Sequence, residues 1–431
     1  MSFIDFENKN ILIVGYGNTG KGVDDFLKTK NCNVFLFDDN KKIYPNNIEK
    51  IDYAIVSPGI DIKNSAIYGE IAKSKAVVMS ELDLCSQFCK KPIVAITGTN
   101  GKTTTTSLVN NILSQTHKSC AVGNIGVSFA QNCQKNFDYF VCECSSFQLE
   151  NSNLFNPKIA AFLNFSCDHL SRHKTLKEYL RCKTKIFSHL TKNDFAVLNY
   201  DLKKLSKKIK YKKNIYYFSI HKKVKGTFVK DDNIYFFDGK KTEKIIGTNL
   251  IKLKGQKNLE NVLASVLICK LLKISNNDIA AGIISFVPFR YRLEEIADDC
   301  CDVVVNDSKS TNISSTMCAL EAYNNKEIIL LLGGDSKGQD FKDFFCNFAH
   351  NVVCLICFGG DGELIFNTAK KFNLNCQLFL KSNLKNAAIF AKKIACKNHV
   401  ILFSPACASF DEFENYKHRG ECFEKYIKQK I

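Results

Sequence analysis

The run Ile93-Val94-Ala95-Ile96-Thr97, followed by Gly98-Thr99-Asn100-Gly101-Lys102-Thr103-Thr104, constrains this chain more than any other stretch. An apolar segment, a glycine-rich turn and then helical Thr/Ser-rich sequence predict a strand, a phosphate-binding loop and a helix. Backbone N–H groups in such a turn face an oxyanion, and the helix N-terminus adds a favourable dipole. Lys102 can reach β- and γ-phosphates, and the Thr103 hydroxyl can sit on Mg²⁺. Ile96 stands where the generic loop has its first glycine, yet the core Gly98-x-x-Gly101-Lys102-Thr103 is intact. The expectation is ATP binding by Gly98, Thr99, Asn100, Gly101, Lys102, Thr103 and Thr104.

A chain of 431 residues exceeds what one hydrophobic core serves, so two or three domains are expected. Twenty cysteines lie inside apolar runs such as Val353-Cys354-Leu355-Ile356-Cys357-Phe358 rather than in a short secreted framework. They read as small buried hydrophobes in a reducing compartment. Cys354 and Cys357 have zinc-like spacing but no second pair, and a strand presents them to opposite faces. The sequence has no stretch of about 18 uncharged apolar residues and no basic-then-apolar start, so a soluble, unexported, cytoplasmic protein with no membrane insertion is expected.

The net charge of +17 would suit a nucleic acid or an anionic surface. The lysines are spread widely, with one local concentration from Lys203-Lys204 to Lys212-Lys213, and aromatic residues are not interleaved as in a single-strand reader. The charge therefore reads as compositional background, of partial use with polyanionic substrates, and no nucleic-acid partner is expected.

Three α/β units follow one another. In the first, residues 1–90, Asn10-Ile11-Leu12-Ile13-Val14 leads into Gly15-Tyr16-Gly17-Asn18-Thr19-Gly20, and a later strand ends at Asp38-Asp39. This is a βαβ pattern of a Rossmann-like doubly wound sheet, whose glycine turn serves any nucleotide diphosphate. The second, residues 91–288, is a P-loop ATPase-type domain. Its strand Tyr139-Phe140-Val141-Cys142-Glu143 ends on a carboxylate that needs a cation or donors if buried, and Mg²⁺ on ATP supplies one. His169 follows a third strand end in the same domain, which favours a ligand role over a structural one. Short segments at 215–218, 226–229 and 234–237 look like hairpins added to the domain's edge. The third unit, residues 289–431, is again Rossmann-like. It carries three polar strand ends: Asn306-Asp307-Ser308-Lys309-Ser310-Thr311-Asn312, Gly333-Gly334-Asp335-Ser336-Lys337-Gly338, and Ser404-Pro405-Ala406-Cys407-Ala408-Ser409-Phe410-Asp411. Gly-Gly-Asp alone could be an ordinary turn, but three such ends argue for a ligand site.

With these motifs the chain resembles the Mur ligase superfamily over essentially its whole length. The first and third polar strand ends resemble the branch that adds D-glutamate, whereas relatives adding other residues carry Tyr-Ala-His or Tyr-Asn-Ala at the first. The resemblance implies an ATP-dependent ligase joining D-glutamate to UDP-N-acetylmuramoyl-L-alanine through an acyl phosphate, acting as a monomer with small-molecule partners. By residue match, Asn18, Thr19, Asp38, Asp39, Asn124 and Ser145 would meet the UDP-substrate. Asn258, Asn261, Arg292 and Asp307 would join the loop at ATP, with Arg290 a competitor of Arg292. Thr311, Lys337, Ser409 and Tyr416 would hold D-glutamate. Two Mg²⁺ ions are implied, one on Thr103 and Glu143, the other on His169 and a carbamylated Lys183; Lys102, Glu143, His169 and Lys183 would be catalytic. The chain departs from the family at Lys257 and Tyr291, where His is usual, and at Tyr416, where Phe is common. A folate polyglutamate ligase and a basic nucleic-acid ATPase share the loop and remain alternatives on the loop alone.

Overall fold

The computed structural model describes residues 4–45, 50–210, 212–297 and 301–429. They form two compact units, Met1–Ile251 with Glu260–Phe286, and Lys252–Leu259 with Val287–Ile431. Unit one holds two sheets and unit two holds one.

The first sheet is wholly parallel: β1 (Asn10–Val14), β2 (Asn33–Phe37), β3 (Tyr53–Val56) and β4 (Val77–Met79), in the order β2-β1-β3-β4. Successive side chains of a strand point to opposite faces. Thus Ile11 and Ile13 enter one core cluster and Leu12 and Val14 another, which is why β1 is apolar throughout. Asp83 joins this sheet's last helix, Glu81–Phe88, to the neighbouring layer. Its fully buried carboxylate accepts from Ser152 Oγ at 2.7 Å and from the amides of Asn153 and Leu154 at 2.8 and 2.9 Å.

The second sheet has nine strands: β5 (Ile93–Thr97), β6 (Ser119–Gly123), β7 (Tyr139–Glu143), β8 (Ile159–Phe162), β9 (Phe195–Asn199), β10 (Ile215–Ser219), β11 (Gly226–Lys230), β12 (Asn233–Phe237) and β13 (Thr242–Gly247). Their order is β13-β12-β11-β10-β9-β8-β5-β7-β6. β11, β12 and β13 are antiparallel hairpins, as the turn signals predict. β10 and β11 are not a hairpin: they run parallel, with Tyr217 opposite Gly226. Gly226 permits this at φ +135°, where an added Cβ would lie 1.9 Å from the Tyr217 carbonyl oxygen.

In unit two, β14 (Glu294–Ile296), β15 (Val303–Asn306), β16 (Glu327–Gly333), β17 (Val352–Phe358), β18 (Gln377–Leu380) and β19 (His399–Ala406) form the order β14-β15-β19-β16-β17-β18. All pairs but β14–β15 are parallel. Ile328, Leu330 and Leu332 enter one core and Ile329 and Leu331 the other, so the sheet is covered on both faces. Cys354 and Cys357 fall in opposite cores, too divided to share a metal.

Candidate active site

The phosphate loop emerges at the C-terminal end of β5, where parallel sheets gather ligands. Gly101 is the N-cap of helix Lys102–Leu113 at φ +80°, and no side chain caps that helix. Gly17 likewise leaves helix Asn18–Leu27 without a side-chain cap. By contrast, Ser80, Ser145, Thr175, Asn312 and Asn415 close their helices with side-chain oxygens. The two glycine-capped ends thus carry no side-chain cap in the way of a ligand, as suits an anion site. Loop shape is held from outside: the Asn100 amide donates to Asn164 Oδ1 at 2.8 Å, and Asn164 Nδ2 returns to Asn100 O at 3.0 Å. Thr99 Oγ1 lies 3.3 Å from the Tyr179 hydroxyl. Asn261, buried, sits against Gly101, where a Cβ would come within 2.2 Å of its Oδ1.

Lys102 Nζ donates to the carbonyls of Gly98 and Thr99 at 2.9 and 2.8 Å. Lys183, on helix Leu176–Thr184, reaches the same Gly98 oxygen at 2.7 Å. Its side chain is among the largest fully buried ones, and burial, then the charge of Lys102, hold its pKa well below the usual lysine range.

Glu143 ends β7 beside β5 and is 1 % exposed. Asn124 Nδ2 donates to its Oε1 at 2.8 Å, whereas Oε2 is buried without a hydrogen-bond partner. A buried carboxylate oxygen left unpaired is costly, and a divalent cation would satisfy it. The donor set thus fits Mg²⁺. His169, half exposed at φ +55°, packs its ring against Phe147 and Tyr179 at 5.0 and 5.9 Å. The neighbouring His173 is buried, with Nε2 3.0 Å from Ser146 Oγ, and burial lowers its pKa.

In the first sheet, Gly17, Asn18, Thr19, Asp38, Lys41 and Ser57 line part of a cleft of about 350 Å³. Asp38 is committed to the chain itself: its oxygens accept from the amides of Tyr16 at 2.6 Å and Lys41 at 3.1 Å, and the first of these bonds holds its pKa low. Asp39 is exposed beside it. Ser145 spends its hydroxyl in a capping box with Gln148.

In unit two, Asp307 is buried and accepts from Ser310 Oγ, Ser404 Oγ and the Leu293 amide at 2.5, 2.8 and 3.2 Å. Burial raises its pKa to about 6. Arg290 is held by Glu424 at 2.5 and 2.6 Å and by Glu294 at 3.2 Å, while Arg292 packs over Phe289. Lys337 is exposed at φ +51° after the glycine pair, and Ser409 is buried three residues past β19. Tyr416 opens helix Tyr416–Ile427 under the Lys309 ammonium, 3.8 Å from its ring centroid. Thr311 is half-buried, and Asn258 donates to the Lys254 carbonyl at 2.8 Å.

The profile of the Mur ligase middle domain matches residues 96–269. The UDP-N-acetylmuramoylalanine–D-glutamate ligase of Caldicellulosiruptor bescii is 36 % identical over 99 % of both chains, and that of Pelotomaculum thermopropionicum is 33 % identical over 98 % of both. The chain belongs to the Mur ligase family. A solved Mur ligase, MurF of Thermotoga maritima in complex with ADP, shares the fold at TM-score 0.62 and 17 % identity, covering 98 % of this chain and 94 % of that one.

For a Mur ligase read from sequence, the fold brings Lys102, Lys183 and Gly98 together, and separately Glu143 and Asn124. Sequence reasoning assigned no role to Asn164, Tyr179 or Arg419. The buried Arg419 donates to the carbonyls of Ser308, Cys407 and Ala408 and to Ser308 Oγ, so it ties two of the polar strand ends together. The signal for it was an arginine eight residues past the end of a predicted site segment, which only the closed loop explains.

Proposed function

We propose that this Mur ligase joins D-glutamate to UDP-N-acetylmuramoyl-L-alanine at the expense of ATP, a step of peptidoglycan synthesis carried out in the cytoplasm by a monomer. Glu143 carries the reading: a buried carboxylate with one oxygen unpaired, beside a phosphate loop whose helix is left uncapped, suits Mg²⁺·ATP. Near-full-length identity to named D-glutamate ligases supports the choice of amino acid.

The substrate carboxylate attacks the γ-phosphorus of ATP, giving an acyl phosphate and ADP. The amine of D-glutamate then attacks the acyl carbon, and phosphate leaves as the amide forms and a proton is released. The first step brings two anions together, so Lys102 and Arg292 would offset their repulsion. Mg²⁺ would neutralise phosphate charge, one ion on Thr103 and Glu143 and a second on His169 and carbamylated Lys183. Burial supports that modification, since only a neutral amine adds CO₂.

The other site residues take the roles that the sequence suggests. Asn18, Thr19, Asp38, Asp39, Asn124 and Ser145 serve the UDP-substrate. Asn258, Asn261 and Asp307 serve ATP. Thr311, Lys337, Ser409 and Tyr416 serve the two carboxylates of D-glutamate. Residues 1–90, 91–288 and 289–431 are the corresponding functional domains. The test is phosphate release with ATP, Mg²⁺ and UDP-N-acetylmuramoyl-L-alanine, comparing D-glutamate, L-glutamate, L-alanine and a diamino acid. Release confined to D-glutamate, with the matching product mass, is expected; release with another amino acid would reassign the third domain.

A further inference from the structure

Between Tyr200 and Lys225 the chain has ten lysines, one aspartate, no glutamate and no arginine, a net +9 out of the whole protein's +17. The structure brings lysines from separate sequence runs together around the Tyr200 ring. The 3₁₀ segment Tyr200–Lys208 packs on β10 through Leu202 and Leu205, which join the core while Lys203, Lys204, Lys207 and Lys208 stay exposed. The loop after β10 returns to the same place: Lys203 and Lys222 both lie over the Tyr200 ring, at 4.7 and 6.0 Å.

Several lysines elsewhere pair with acids, as Lys28 with Asp24, Lys254 with Glu295, Lys270 with Glu243 and Lys326 with Asp302. Among the described residues, Lys203, Lys204, Lys207, Lys208, Lys212, Lys213, Lys222 and Lys223 have no carboxylate within ion-pair distance. Aromatic rings and carbonyls hold several of these ammonium groups instead. Unpaired charges so close along the chain repel each other, and an anionic surface relieves the repulsion.

We propose that this face docks the protein on a bilayer carrying acidic phospholipids. The rings of Tyr200, Tyr216, Tyr217 and Phe237 are half-buried, so none of these four stands free to stack a nucleic-acid base. Leu202, Leu205 and Ile209 point into the core and are not offered for insertion. The attachment is electrostatic and reversible, with each lysine near the surface adding to affinity and salt screening it.

The full chain is sedimented with vesicles of phosphatidylcholine alone or mixed with phosphatidylglycerol, at about 50 and about 200 mM salt. Two variants accompany it: K203E/K207E/K222E, and K371E/K393E/K397E, which changes net charge equally at exposed sites outside the face. Solution phosphate release, unchanged in both, reports intact folding. Wild type and the second variant are expected to sediment with the anionic vesicles at low salt only, and the first variant to bind at least roughly tenfold more weakly. Equal binding by the two variants, no vesicle binding by wild type, or tighter binding to homopolymer RNA than to vesicles would each overturn the proposal.

Discussion

Lys183 and Lys102 share one acceptor: both ammonium nitrogens lie within 2.9 Å of the Gly98 carbonyl oxygen. Two cations on one dipole repel, and Lys183 is the buried one. Burial and Lys102 together favour its neutral amine. A neutral amine at this depth suits the carbamate role proposed for Lys183.

Lys183→Ala is expected to lower phosphate release by roughly 100-fold or more, the scale of losing a metal-site ligand. Added short-chain carboxylic acid should restore part of it by replacing the carbamate oxygens, and CO₂-depleted buffer should slow the wild type. Full turnover in the variant, without added acid, would remove the carbamate role.

Glu143→Gln separates stability from catalysis. A neutral amide is cheaper to bury than a carboxylate with one unpaired oxygen, so the melting temperature without nucleotide should hold or rise. Phosphate release should fall by about 100-fold, and the stabilisation that Mg²⁺·ATP gives the wild type in a thermal melt should shrink. A melt that still rises as much with Mg²⁺·ATP would show that the ion sits elsewhere.

Gly101→Ala places a methyl group 2.2 Å from Asn261 Oδ1 at a backbone φ of +80°. The conformation alone costs on the order of 1 kcal/mol, and Asn261 must also move. ATP affinity measured by calorimetry should drop more than tenfold while the far-ultraviolet circular dichroism stays native. An unchanged affinity would mean that the loop tolerates reshaping.

The motif residues were legible because the chemistry and the fold make the same demand of them. Gly101 stands at a positive φ and caps its helix without a side chain, and Glu143 ends a strand that is buried on both sides. Asn164 and Arg419 were not, because each acts on a loop from a distant strand or helix, and one sequence has no record of that pairing. The β10–β11 arrangement was misread for a related reason: a six-residue gap looks like a hairpin loop, and only Gly226 approaching the Tyr217 carbonyl reveals the parallel register. The lysine runs looked dispersed because Tyr200 unites segments about twenty residues apart.

Asp307 gives a pH test of unit two. Its folded pKa of about 6 lies above the ~3.9 of a free aspartate, so between these values the folded state keeps a proton that the unfolded chain has lost. Stability from this group therefore falls as pH rises from about 4 through 6, by roughly 3 kcal/mol, and stays at that lower level above. Asp307→Asn lacks the titration, so its melting temperature relative to wild type should be more favourable at about pH 8 than at about pH 5. The carboxylate is nevertheless what Ser310, Ser404 and the Leu293 amide are arranged to meet, so the variant should lose activity even where it gains stability. In the wild type, kcat/KM for ATP should decline below about pH 6 as the carboxylate takes up its proton. An equal melting-temperature difference at both pH values would mean that Asp307 is ionised throughout, held so by charge from Arg292 outweighing its burial.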